Sequence, residues 1–211
     1  MPASRHLTVE RTARYLTRGP EDADEVWLAL HGYAQRAAEL LDALGLLDDG
    51  QRRIVAPEAL SRFYRRGTDG EVGASWMTSA DRDREIRDYL HYLDALHEHL
   101  DLAGAERLCV LGFSQGAATA ARWAVRGAAD PNRLVLWAGG LPPDVETAAF
   151  RDLRLTLVAG EDDRYVTPER LQRETQRLDE AGVSYRLVRF EGGHHIADAP
   201  LQRLLGSETS A

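Results

Sequence analysis

The chain has a single cysteine, Cys109, in 211 residues. No internal disulfide can form, which excludes a fold stapled by disulfides. Cys109 falls inside an apolar run, which suits a small core residue better than a nucleophile. No apolar stretch reaches the roughly 20 residues that a membrane-spanning helix needs. The first ten residues also lack the apolar segment of a secretion signal. Stable membrane insertion is therefore not expected, and the expected compartment is the cytoplasm. Basic runs are equally scarce. The densest, Arg62, Arg65 and Arg66, reads as a solvated loop in a chain with 34 acidic and 26 basic residues and a net charge of −8. That balance argues against a nucleic-acid partner. There is no glycine loop ending in Lys-Ser/Thr to cradle phosphates, and no dinucleotide fingerprint. His91, His97 and His99 share a helical segment, but no two are four apart as a helical metal pair would be. His194-His195 and Asp162-Asp163 are adjacent pairs, and adjacent side chains rarely converge on one ion. Neither a metal nor a cofactor is expected.

The chain does contain an alternation of strand and helix patterns. Hydrophobic residues make up 44%, an ordinary globular value. The length suits one domain spanning residues 1–211, with a core at about 26–205. His6–Arg18 reads as an edge strand or hairpin, and Val26–Leu30 as a buried strand. Gln35–Leu47 reads as a helix, and Arg53–Ala56 as a short strand broken by Pro57. Residues 58–79 show no clear period. Asp81–Leu100 is a long amphipathic helix with Ile86, Leu90, Leu93, Leu96 and Leu100 on one side. Strands at Leu108, Arg133, Leu153 and Tyr185 then alternate with helices from Ser114, Pro168 and Pro200. This order implies an α/β fold: a mostly parallel sheet with helices on both faces and no room for a large lid.

Within that frame, Leu108-Cys109-Val110-Leu111-Gly112-Phe113-Ser114-Gln115-Gly116-Ala117-Ala118 is the most informative run. An apolar strand ends in Gly-x-Ser-x-Gly and an alanine-rich helix follows at once, the setting in which a nucleophilic serine is held on a sharp turn. Such a turn strains the serine backbone, and the two glycines remove the Cβ atoms that would collide around it. The amide of Gln115, at the helix start, then points towards an oxygen bound beside Ser114. A nucleophilic serine needs a base, and the base needs an orienting acid. Gly160-Glu161-Asp162-Asp163 and Gly192-Gly193-His194-His195 each follow a strand, in the chain order Ser, Asp, His. They therefore fall at the sheet edge where side chains from several strands converge. The residues themselves leave Asp162 and Asp163, and His194 and His195, as alternatives.

Leu30-His31-Gly32, Gly112-Phe113-Ser114-Gln115-Gly116, Gly160-Glu161-Asp162-Asp163 and Gly193-His194-His195-Ile196 together resemble the α/β-hydrolase superfamily. Within it, the chain is similar to the small phospholipase/carboxylesterase family that includes acyl-protein thioesterases. The resemblance runs from about Val26 to Leu205. It implies Ser114 as nucleophile, Asp163 as the acid and His194 as the base, since the family's acid and base loops land on those residues. A variant of the base loop with one more residue would select His195. The resemblance also implies that the oxyanion hole is completed by the amide of Tyr33, with His31 structural, and that Trp76 matches a family landmark.

Phe63, Tyr64, Trp76 and Met77 place bulky apolar groups in the irregular 58–79 stretch, where they are expected to line the substrate site. Leu141-Pro142-Pro143 would narrow it. The function implied is a serine carboxylesterase acting on a small ester through an acyl-enzyme. The alternatives are an acyl thioesterase or lysophospholipase, and a non-catalytic binding protein on the same fold. Oligomeric state and natural substrate are not written in these motifs.

Overall fold

A computed structural model describes residues 3–206. Its centre is a seven-stranded sheet. The strands are β1 (Tyr15–Arg18), β2 (Glu25–Leu30), β3 (Arg52–Pro57), β6 (Arg107–Phe113), β7 (Arg133–Trp137), β8 (Leu155–Gly160) and β9 (Tyr185–Phe190). Their order across the sheet is β1-β3-β2-β6-β7-β8-β9. Only β1 runs antiparallel to its neighbour; every other pairing is parallel. A short hairpin, β4 (Ser61–Tyr64) with β5 (Val72–Ser75), stands apart from this sheet.

The central strands β2, β6, β7 and β8 are buried on both faces, as parallel strands require, while the edge strands β1 and β9 are partly exposed. Along β2, Val26, Leu28 and Leu30 enter one core while Trp27 and Ala29 enter the other, the two-residue alternation of a pleated strand. The first core is closed by α2 (Arg82–His99) and α3 (Gln115–Arg126), with α4 (Pro168–Glu180) beside them. The second is closed by α1 (Ala37–Ala43) and α5 (Asp198–Gly206). On α2, Ile86, Tyr89, Leu93 and Leu96 form the buried stripe. A buried carboxylate, Glu25, starts β2 and is satisfied by Trp27 Nε1, Arg52 and Arg107.

Several elements differ from the sequence expectations. Only residues 15–18 of the His6–Arg18 segment form a strand. Pro57 is the last residue of β3 and pairs with Tyr15 of the edge strand; a residue without an amide proton is tolerated at a strand end. The first helix is shorter than expected and ends in a 3₁₀ turn at Gly45–Leu47. The 58–79 stretch holds the β4–β5 hairpin. Among the described residues, no helix is long and apolar enough to cross a membrane.

Candidate active site

The parallel strands β2, β6, β7, β8 and β9 all end at one edge of the sheet, and the loops leaving them build the site. At the end of β6 the chain turns into α3 within one residue. Ser114 takes φ 54° and ψ −114° to do so, a conformation that costs a non-glycine residue about 1–3 kcal/mol. It is held there by its amide, which donates to the Trp137 carbonyl at 2.8 Å, and by its carbonyl, which accepts from Ala117 at 3.1 Å. A Cβ on Gly112 would strike the Gly116 carbonyl, and one on Gly116 would strike the Leu30 carbonyl. Both glycines are therefore required by the close approach of strand and helix.

Past the end of β8, Asp163 is buried, with 3% of its surface exposed. Past the end of β9, His194 lies between it and the serine. His194 Nδ1 is 2.8 Å from Asp163 Oδ2, and His194 Nε2 is 2.8 Å from Ser114 Oγ. Asp163 Oδ1 accepts from the amides of Tyr165 (2.8 Å) and Val166 (3.0 Å). Burial pushes the Asp163 pKa up, but the hydrogen bonds from Val166, His194 and Tyr165 outweigh it and hold the carboxyl below its ordinary value. An ionised Asp163 requires the proton on Nδ1, leaving Nε2 free to accept from the serine hydroxyl. The imidazole is also packed between Phe113 (5.1 Å between ring centroids) and the edge of Tyr165 (4.6 Å). The two loops are joined by Asp162 N donating to Gly192 O at 2.9 Å.

The other residue of each adjacent pair faces elsewhere. Asp162 is exposed, and His195 is exposed with its ring against Phe190 and its carbonyl accepting from Trp137 Nε1.

The loop after β2 brings a second backbone donor. Gly32 N donates to Gln35 Oε1 at 2.9 Å, and Ala34 N to Ala74 O at 2.9 Å. His31 is fully buried beneath this loop. Its Nε2 accepts from the Ala59 amide, so Nδ1 carries the proton and donates to the Gly32 carbonyl. Burial lowers its pKa, with the Gly32 contact only partly opposing, and keeps it neutral. The amides of Tyr33 and Gln115 donate to no acceptor among the described residues. Together they can meet an oxygen that becomes negative beside Ser114.

These groups open on a cavity of about 440 Å³. It is lined by Tyr33, Ser114, Gln115 and His194, by Ala118 and Arg122 of α3, by Ala138 to Pro143 after β7, and by Tyr165, Val166 and Arg170. Among the described residues, no three His, Cys, Asp or Glu side chains are grouped as a metal site needs.

A family model described as serine hydrolase (FSH1) matches residues 25–202. The chain belongs to this family. No curated protein matches the sequence. Solved structures that match the FSH1 family chain in fold include esterase PE8, with a TM-score of 0.73 and 22% identity over 95% of this chain and 99% of that one. Acyl-protein thioesterase 2 of Zea mays matches with a TM-score of 0.71 and 20% identity over 94% and 99%. A phospholipase/carboxylesterase of Dyadobacter fermentans matches with a TM-score of 0.68 and 18% identity over 96% and 99%. The α/β-hydrolase fold expected from the motifs is thus the fold of this serine hydrolase family member.

Of the residues singled out in the sequence, Ser114, His194, Tyr33 and Gln115 line the cavity, and Asp163 is joined to them through His194. Trp76, Met77, Phe63 and Tyr64 do not line it. Trp76 is buried, tilted against His31 at 5.1 Å, with Nε1 donating to the His31 carbonyl at 2.8 Å, so it braces the loop after β2. Met77 packs on the α2–α3 core, and its carbonyl accepts from Gln115 Nε2. Phe63 packs on the outer side of Tyr33 at 5.4 Å, and Tyr64 is exposed on the hairpin. Ala74 and Trp76 are held inward by backbone bonds to Ala34 and the Gln115 side chain, which leaves the cavity wall to the segment after β7. Leu141, Pro142 and Pro143 do line it. Arg122, Tyr165 and Arg170 were not anticipated there. Ser114, Ala118 and Arg122 are spaced by four, and a lone arginine on that otherwise small-residue helical face was the available signal.

Proposed function

We propose that this FSH1-family member hydrolyses small carboxylic esters through Ser114, His194 and Asp163. The observation that carries the reading is His194 spanning Ser114 Oγ and Asp163 Oδ2 at 2.8 Å each, on the wall of an open cavity. Ser114 Oγ attacks the acyl carbonyl while His194 Nε2 takes its proton. Asp163 keeps the imidazole in the right tautomer and stabilises the imidazolium without itself taking the proton. The oxygen turned negative is met by the amides of Tyr33 and Gln115, each worth about 3 kcal/mol in the transition state. His194 then passes its proton to the leaving alcohol, and water releases the acid from the acyl-enzyme by the same route in reverse.

Thioesters are the second reading. The same groups serve them, and the fold similarity to the maize acyl-protein thioesterase supports including them. The test is turnover of p-nitrophenyl esters and matched acyl thioesters over a range of chain lengths, with Ser114→Ala alongside. Ester turnover abolished in Ser114→Ala supports the proposal. Turnover of thioesters alone selects the second reading, and no turnover by folded protein rejects both.

A further inference from the structure

The cavity beside Ser114 is lined by two arginines and by no carboxylate, in a chain whose net charge is −8. Neither arginine has a part in the chemistry just described. Arg122 lines the cavity with only 4% of its side chain exposed. Eight residues of helix separate it from Ser114, about 12 Å along the axis, and helical side chains lean back towards the N-terminus.

Asp144 compensates this charge only in part. Its carboxylate accepts from Arg122 Nη2 at 2.7 Å, Arg82 Nη2 at 2.6 Å and Arg126 Nη1 at 2.9 Å. Three guanidinium groups therefore share one carboxylate; Arg122 is the buried one, while Arg82 and Arg126 are about one-third exposed and water screens part of their charge. Arg82 has a further contact with Asp83 at 3.4 Å, but Asp83 is 96% exposed and its field is screened by water.

Arg170, near the start of α4, also lines the cavity. Its Nη1 donates to the Tyr165 carbonyl at 3.0 Å, and among the described residues it makes no ion pair. The ring of the same Tyr165 lies edge-on to His194, and Arg164 stacks on that ring at 4.8 Å. Two carboxylates that contact lining residues, Asp163 at His194 and Glu174 at Leu141, are committed elsewhere. Asp163 serves His194 and two amides, while Glu174 accepts from the Leu141 amide and pairs with Arg177 at 3.3 Å.

We propose that the site selects esters carrying a second, free carboxylate a few bonds from the scissile carbonyl, with Arg170 as the contacting group and the Arg122 cluster as a fixed positive field. One planar guanidinium fork matches one carboxylate. A partly compensated buried charge is costly when the site is empty and favours a ligand of opposite sign. The proposal deepens the esterase reading of Ser114 and rests on it.

Two measurements separate the claims. Wild type is assayed on mono-p-nitrophenyl glutarate and on its methyl-capped, neutral counterpart. Ser114→Ala is titrated calorimetrically with monomethyl glutarate and with dimethyl glutarate. The expected result is a kcat/KM ratio of at least about tenfold in favour of the anionic ester, from one added charge-assisted hydrogen bond. The ratio shrinks several-fold in Arg170→Gln, a change at an exposed position, and shrinks with added salt. The monoanion also binds Ser114→Ala about tenfold more tightly than the diester. Equal turnover and equal binding of each pair overturn the carboxylate proposal and leave the esterase reading intact. A preference that survives unchanged in Arg170→Gln overturns it too. Preferential binding of the monoanion without turnover of either ester rejects the esterase reading while the cationic site stands.

Discussion

Replacing Asp163 by Asn tests the chemistry with almost no change of shape. The carboxylate has two distinct ends: Oδ2 faces His194 Nδ1, and Oδ1 accepts from the Tyr165 and Val166 amides. Asparagine has only one accepting end. If its oxygen faced His194, the NH₂ would meet two amide donors in a buried pocket, and orphaning each costs about 1–3 kcal/mol. The oxygen therefore stays with the amides and the NH₂ faces Nδ1. That forces Nδ1 to accept and places the imidazole proton on Nε2, where it points at Ser114 Oγ. The base is then in the wrong tautomer. In a Ser-His-Asp arrangement such an exchange lowers kcat by about 10⁴, which is about 5 kcal/mol at the transition state. Asp162→Asn, on an exposed side chain, is expected to leave kcat within about twofold. Steady-state hydrolysis of a p-nitrophenyl ester, with urea unfolding to confirm that both variants are folded, decides the matter. An Asp163→Asn enzyme within tenfold of wild type, or an Asp162→Asn enzyme that loses more, would refute the reasoning.

Other consequences follow from the packing and the charges. Gly116→Ala pushes a methyl into the Leu30 backbone and is expected to cost about 3 kcal/mol or more of unfolding free energy by urea titration. Gln115→Ala keeps the backbone amide proposed to meet the oxyanion but removes the partners of the Trp76 amide and the Met77 carbonyl. It is expected to cost about 2 kcal/mol of stability while kcat falls far less than in Ser114→Ala. Asp144→Asn bears on the arginine cluster. Hydrogen bonding from Arg122 holds the Asp144 pKa far below the ordinary range, against burial, with Arg82 adding to the effect. Its stabilisation is therefore fully present above the unfolded-state pKa of about 4 and is lost as pH falls towards the folded value. The stability gap between wild type and Asp144→Asn should be constant from pH 6 to 8 and narrow by about 1 kcal/mol per pH unit below about 4. A gap unchanged at pH 3 would contradict this.

The parts of the site legible from sequence are those set by local spacing. Gly112, Ser114 and Gly116 lie within five residues, and the clash that Gly112 avoids is between β6 and α3, adjacent in the chain, while the one that Gly116 avoids is with Leu30 at the end of β2. The strands that carry Asp163 and His194 were readable because buried parallel strands are continuous apolar or alternating runs. The choice within Asp162-Asp163 and His194-His195 was not legible from the residues alone, and only the family resemblance pointed to Asp163 and His194, because neighbours differ only in which way they face. That depends on the close approach of Gly160, at the end of β8, to the Gly192 and Gly193 carbonyls of the loop after β9. The β4–β5 hairpin went unread since Ser-Arg-Phe-Tyr and Val-Gly-Ala-Ser carry no alternation. Its aromatics suggested a pocket wall because bulky side chains in a loop look the same whether they face a cavity or, like Trp76, prop up the backbone beneath one. The Arg122–Asp144 cluster joins residues from α2, α3 and the loop after β7, a meeting that no local pattern announces.

The most direct test of the central claim is to treat the native protein with a p-nitrophenyl alkylphosphonate and locate the adduct by peptide mass spectrometry. A single adduct on Ser114, formed at wild-type rate in His195→Ala and suppressed in His194→Ala, is the expected result. Failure of folded wild type to react, or an adduct on another residue such as Ser75, would contradict the account.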